Sequence, residues 1–260
     1  MTRDISKGQH ISHWFITIRS SVLIFSLWLI AIISMPLLLT LIYNQAPGIS
    51  IVWDFGNFCG FAATVIMALL FWYSSRPKYF PTFDGKFFIA LHRHLGYLSM
   101  FLVFMHVGIV LIYEPLTIEY LTLASPYYMQ CGVVAACLII GIIYTATSKT
   151  RKILWPNYRF FKFFHYVLSV AILVLTLFHI IDSRFYVNNL SKQIFWALIV
   201  IFACIIPIFS RINQKNRVWE KIKRTKSSSH QSRVACILVG SVTITIFLLI
   251  SIFKNIVTTI

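Results

Sequence analysis

Long apolar runs, each closed by a short polar or turn-forming cluster, repeat seven times along the 260-residue chain. They fall at 18–43, 51–73, 88–113, 127–148, 160–181, 191–210 and 234–253. Each is long enough for a helix of about 20 residues to cross a hydrocarbon layer. The punctuation is clear: Asn44-Gln45-Ala46-Pro47-Gly48 predicts a turn after the first run. Ser74 to Lys86 predicts a short basic loop after the second. The first run follows a polar arm at 1–17 and is too long for the apolar core of a signal peptide, so it reads as a retained span. Trp53 and Asp54 open the second run and Trp72 and Tyr73 close it, an interfacial aromatic pattern. Asp54 is expected near the headgroups, where a carboxylate is tolerable; a proton or cation role is the sharper alternative.

Composition agrees with the pattern. Hydrophobic residues make up 58% of the chain and charged ones 12%, far from a soluble domain and typical of a polytopic membrane protein. Seven spans leave no room for a sizeable soluble domain. A net charge of +16 would suggest nucleic acid in a soluble protein, but here its distribution explains it. Of the 23 basic residues, all but Arg184, Lys192 and Lys254 lie in the N-terminal arm, in the connections after the second, fourth and sixth runs, or beside them. Basic residues accumulate on the cytoplasmic side of membrane proteins. The expected orientation is therefore N-terminus cytoplasmic and C-terminus outside, in a membrane such as the bacterial inner membrane, with lipid rather than nucleic acid as the surrounding partner. Cys59, Cys131, Cys137, Cys204 and Cys236 all fall inside predicted spans without metal-site spacing; they read as small buried apolar residues.

The chemistry lies in the third and fifth runs. Leu91 to Val107 holds His92 and His106 fourteen residues apart, and Phe164 to Ile180 holds His165 and His179 at the same spacing. Fourteen residues of α-helix return within roughly 40° of the same face, about 21 Å further along the axis. An ionisable side chain deep in a membrane helix is a functional hypothesis by default. Alternation of the spans makes these two helices parallel, which sets His92 level with His165 and His106 level with His179. Imidazole is a good ligand for haem iron, so each pair would hold one haem b from both sides. A doubly ligated iron has no open position and suits electron passage rather than activation of small molecules. Two such haems, roughly 20 Å apart by the helix rise, would form a path across the bilayer. A single histidine of this kind would more simply be a packed residue hydrogen-bonded to a neighbouring helix; four at two identical spacings favour haem.

Other residues modulate this picture. Gly96 and Ser169, each four residues after a histidine, would let a flat macrocycle approach the helix backbone. His94 points about 200° away from His92 and reads as an interface side chain that could meet a propionate. Arg76, Arg93 and Arg159 are further propionate candidates or ordinary snorkelling cations. His10, His13 and His230 read as solvated. The fold class expected is thus an all-α polytopic membrane protein, a six-helix haem-binding bundle plus one additional C-terminal transmembrane helix. Its organisation is expected as an arm at 1–17, the six-helix unit at 18–210, a basic cytoplasmic loop at 211–233 and the extra helix and tail at 234–260.

Two motifs then add a resemblance. Ser75, Arg76, Pro77 and Lys78 close the second run, and His92, Arg93, Leu95 and Gly96 open the third, with His106 fourteen residues on. With Phe164-His165-Tyr166 and His179, this resembles the ferric reductase-like transmembrane domain over about residues 15–210. That superfamily includes metalloreductases, NADPH oxidases and the haem-binding membrane subunit of the periplasmic methionine sulfoxide reductase system. The resemblance implies that His92 and His165 ligate an inner haem and His106 and His179 an outer one. His94 stands where the family often has an aromatic residue. A respiratory cytochrome b shares the histidine spacing but not these motifs.

Many relatives continue into a flavin- and NAD(P)H-binding module. No Gly-rich dinucleotide fingerprint occurs here, so an oxidoreductase component lacking its own flavin domain is expected. Its electrons would come from a separate flavoprotein reductase, a quinol, or FMN or FAD bound through a partner. They would pass to an outer acceptor such as ferric iron or a periplasmic reductase. The basic loop would serve as a topogenic signal or dock an acidic partner or anionic lipid. Glu114, Glu119 and Asp182 could attract a cationic acceptor. The competing class is a haem-free transporter in which the histidines carry protons or metal ions; it calls for polar residues along a path, and the two helices offer mainly Ser99 and Ser169.

Overall fold

The computed structural model describes the backbone of residues 5–42, 50–72, 83, 85–122, 124–214 and 229–259. The turn at 44–48, the Ser-Arg-Pro-Lys motif at 75–78 and most of the basic loop lie outside these residues, as do the side chains of His10, His13 and His230. The described residues are all-helical, without strands, and seven helices are long and apolar enough to cross a membrane. This is the expected all-α polytopic architecture.

Helices α1 (Ile5–Ile42), α2 (Ile51–Trp72), α3 (Gly85–Tyr113) and α4 (Tyr127–Ala146) come first, with a 3-10 turn at Pro115–Leu121 between the last two. A short α5 (Ser148–Leu154) then precedes α6 (Tyr158–Ser183), α7 (Leu190–Gln214) and α8 (Ser229–Thr259). Helix α1 begins at Ile5, within the stretch expected as an arm at 1–17. Helix α5 lies in a connection expected to be a loop. Local chemistry fixes several starts. The Ser50 hydroxyl accepts from the Trp53 amide, Asn157 Oδ1 from the Arg159 amide and Asn189 Oδ1 from the Lys192 amide, each satisfying a first-turn donor that the helix cannot. At its other end α6 stops on Arg184 in the left-handed conformation, φ 55°.

Helices α1, α2, α3 and α8 pack as one group and α4 with α6 as another, while α7 touches both α2 and α6. The first group is closed at one end by aromatic contacts among Phe25, Phe83 and Phe87, with Phe83 and Phe87 stacked at 4.2 Å. Helix α8 is not a loose appendage. Its Phe247, 2% exposed, stacks on Phe58 of α2 at 4.0 Å, and its Gly240 lies beside Leu98 of α3. His94 turns to α8 as well, where its Nδ1 lies 3.3 Å from the Ser232 hydroxyl. That adds a helix–helix contact to the interface position expected for it.

The cysteines divide. Cys59 and Cys131 are buried as expected, but Cys137 is exposed on α4, among the residues that border a cavity of the bundle. Pro207 leaves α7 without one ladder donor, and in the turn before it the Cys204 carbonyl accepts from the Tyr166 hydroxyl at 2.8 Å. Replacing Phe247→Ala should open a cavity between α8 and α2 and lower stability by about 3 kcal/mol. Tryptophan fluorescence during denaturant unfolding in mixed micelles checks this, and an unchanged midpoint would mean that α8 does not hold the bundle.

Candidate functional site

The four histidines meet in pairs. His92 of α3 and His165 of α6 have ring centres 6.2 Å apart, and His106 and His179 have theirs at the same 6.2 Å. Such matched pairs require α3 and α6 to run parallel and level. Yet these two helices are not close-packed on one another: α3 rests mainly on α2 and α8, and α6 on α4. The imidazoles face each other across a gap that the supporting helices keep open.

At the second pair the gap is a cavity of about 340 Å³. Its polar lining includes His106, His179, Asn57, Thr64 and Tyr186, set in walls that are otherwise mostly apolar, such as Phe61, Met67, Val103 and Ile172. Each histidine of this pair is fixed from behind. His106 Nδ1 lies 2.9 Å from the Gly56 carbonyl of α2, and His179 Nδ1 lies 2.9 Å from the Tyr128 carbonyl of α4. A carbonyl can only accept, so Nδ1 carries the proton and the Nε2 lone pair, on the other edge of the ring, is left for a ligand bond.

The first pair is held differently. His165 Nδ1 is buried without a hydrogen-bond partner, and the Leu70 backbone of α2 engages the His92 ring only outside close hydrogen-bond geometry. Phe161 lies against His165 at 5.4 Å between ring centres. A side chain built at Gly96 would meet no atom within 4 Å, so there is open space where a flat group was expected to approach α3. The Ser169 hydroxyl bonds back to the His165 carbonyl at 2.7 Å and keeps its bulk close to its own helix. Arg93 and Arg159 are both exposed.

Sequence reasoning missed a buried polar cluster bordering the second pair. Tyr186, in the α6–α7 connection, lines the cavity and donates its hydroxyl proton to Asp54 Oδ1 at 2.5 Å. Asp54 is 6% exposed and Tyr186 2%. Asp54 is therefore not solvated among headgroups; burial is tolerable because the phenol satisfies the carboxylate. Lys192, expected in an outer connection, is also buried and donates to the carbonyls of Thr40 and Tyr186, while Trp196 donates to the Thr40 hydroxyl. These bonds tie α1, α2 and α7 together at one end of the bundle. No sequence signal announced them, since Asp54 and Tyr186 are 132 positions apart.

Residues 59–176 match the model of the ferric reductase like transmembrane component. The matched segment runs from α2 into α6 and contains His92, His106 and His165, with His179 just past its end. The match covers somewhat less than half of the chain and supports a ferric reductase-like transmembrane domain over those residues. No curated protein and no solved structure matches it.

Burial first, and then the bond to Asp54, push the Tyr186 phenol well above its ordinary range. The fold thus favours the neutral phenol. That stabilisation is complete below about pH 10, where an unfolded tyrosine is still protonated, and is lost as pH rises further. Wild type should lose stability with rising pH above about 10 more steeply than Tyr186→Phe. Thermal unfolding in detergent across pH 8–12 tests this, and parallel slopes would remove Tyr186 as the responsible group.

Proposed function

We propose that this protein is a transmembrane di-haem b-type cytochrome of the ferric reductase-like kind, with His92 and His165 ligating a haem near the cytoplasmic face and His106 and His179 ligating one near the outer face. The observation that carries the reading is the equal 6.2 Å separation of the two imidazole pairs. A metal–imidazole nitrogen bond is about 2.0 Å, and a five-membered ring with bonds of about 1.33 Å has a radius of about 1.1 Å. Two imidazoles on opposite sides of one metal therefore have ring centres about 6.3 Å apart. Both pairs fit that spacing. Among the described residues no group of three or more His, Cys, Asp or Glu could hold a bare metal ion. Two isolated imidazoles suit a metal that arrives with its own equatorial ligands.

The bound haem supplies one-electron redox chemistry. The residues of the chain do the rest. His92 with His165, and His106 with His179, would hold the haems and leave no open iron site. The apolar wall of the cavity keeps water from the iron, and the fourteen-residue spacing sets the second site roughly 20 Å above the first. The positive-inside distribution of Lys and Arg supports a cytoplasmic N-terminus, and electrons would pass from that side outward. The donor would be a cytoplasmic flavoprotein reductase, carrying FMN or FAD, or a membrane quinol. The acceptor would be ferric iron or a periplasmic reductase, as in a methionine sulfoxide reductase-like system. Residues 18–210 would form the electron-transfer unit, with 211–233 a basic cytoplasmic loop and 234–260 a supporting helix and tail.

Oxidised and dithionite-reduced spectra with a haem assay on detergent-purified protein test the reading. Wild type should hold two b-type haems per chain and His106→Ala one. One haem in wild type would overturn the two-site assignment. Protein free of haem, from cells well supplied with it, would sink the reading and favour proton or metal transport by the histidines.

A further inference from the structure

We propose that Gly60 and Gly132 are positioning residues that seat the two histidines of the outer site, and that the carbonyls of Gly56 and Tyr128 one turn earlier lock those rings with Nε2 toward the iron. The inference rests on the di-haem reading and extends it to helices that contribute no ligand.

The two seats have the same construction on different helices. On α2, a Cβ added at Gly60 would lie 3.2 Å from His106 Cγ and Nδ1, and Nδ1 bonds the carbonyl of Gly56, four residues earlier. On α4, a Cβ added at Gly132 would lie 2.7 Å from His179 Nδ1 and 2.9 Å from its Cε1, and Nδ1 bonds the carbonyl of Tyr128, again four residues earlier. In each case the missing side chain is what allows the imidazole to lie against the helix and reach a carbonyl of the preceding turn. A flexible side chain could swing away from an added methyl, but a ring bonded to a carbonyl on one edge and to iron on the other has no such freedom.

The lock has an electronic consequence. A histidine ligand that donates its second ring proton to a carbonyl is fixed in tautomer and orientation and is a more basic ligand. More basic axial ligands favour the ferric over the ferrous iron, so the two bonds hold the outer potential down. The inner pair is less firmly held: His165 Nδ1 has no hydrogen-bond partner, and the Leu70 backbone engages the His92 ring only outside close hydrogen-bond geometry. Gly60 and Gly132 thus set the outer site apart from the inner one.

Purified Gly60→Ala, Gly132→Ala and Gly141→Ala decide the matter, with haem content and redox titration of each b-type component as readouts. The component missing from His106→Ala identifies the outer haem. Gly141 lies on α4 with no atom within 4 Å of an added Cβ, and alanine is the better helix former, so this control should match wild type. Gly132→Ala, with the closer contact, should lose the outer haem and keep the inner. Gly60→Ala should keep both, with the outer midpoint potential raised and the inner one unmoved. Two haems at wild-type potentials in both seat variants would overturn the proposal while leaving the di-haem reading intact. Wild type without haem would instead remove the reading itself. Should Gly132→Ala fail to accumulate in the membrane, Gly60→Ala decides alone, because a purely structural role would not move one potential and spare the other.

Discussion

The arrangement depends on one constraint: four imidazoles must face one another in pairs across a gap that protein does not fill. Apolar helices left to themselves close on each other, since packing is the main attraction between them in a lipid environment. Here α3 and α6 are denied that contact. Each is backed by its own partner, α3 by α2 and α6 by α4, and the partner also grips the second histidine through a backbone carbonyl. The supporting helices therefore do two jobs with one surface. They hold α3 and α6 apart and orient the rings that project into the space between.

That division explains an otherwise odd distribution of burial. Of the candidate spans, α3 and α6 are the least enclosed, with 17% of the apolar window of each buried, whereas α2 reaches 67%. A soluble protein would bury its functional helices most deeply. Here one face of α3 and α6 borders the gap and another, carrying Phe101, Phe163 and Phe178, would meet hydrocarbon. Helix α2 is the real core. It touches α1, α3, α6, α7 and α8, and its run of small residues around Ala62 and Ala63 admits them closely.

Much of this was legible in the sequence because the relevant signals are local. Span lengths follow from apolar runs, and the pairing of histidines follows from fourteen-residue spacing together with alternation of direction. What could not be read involves choices made across long separations. Asp54 announces a membrane-edge carboxylate until Tyr186 is found bonded to it. Lys192 is a connection lysine until the Thr40 and Tyr186 carbonyls converge on it. His94, which the spacing turned away from the first pair, meets α8 from a position 138 residues away. Gly60 and Gly132 were invisible for the same reason. A glycine in a membrane helix is ordinary until the ring on the next helix is known to occupy the space of its missing side chain.

The buried polar cluster completes the logic. A cavity that stays open weakens the bundle, because its walls forgo the contacts that close packing would supply. The end of the molecule nearest the cavity is also where hydrogen bonds among Thr40, Asp54, Tyr186, Lys192 and Trp196 tie α1, α2 and α7 together. Polar bonds of this kind hold geometry more rigidly than apolar contacts, since each is directional and costly to break when buried. They also do so without adding bulk to the gap. A wall fixed from outside by directional bonds, rather than from inside by packing, is how a bundle can keep room for a large rigid group.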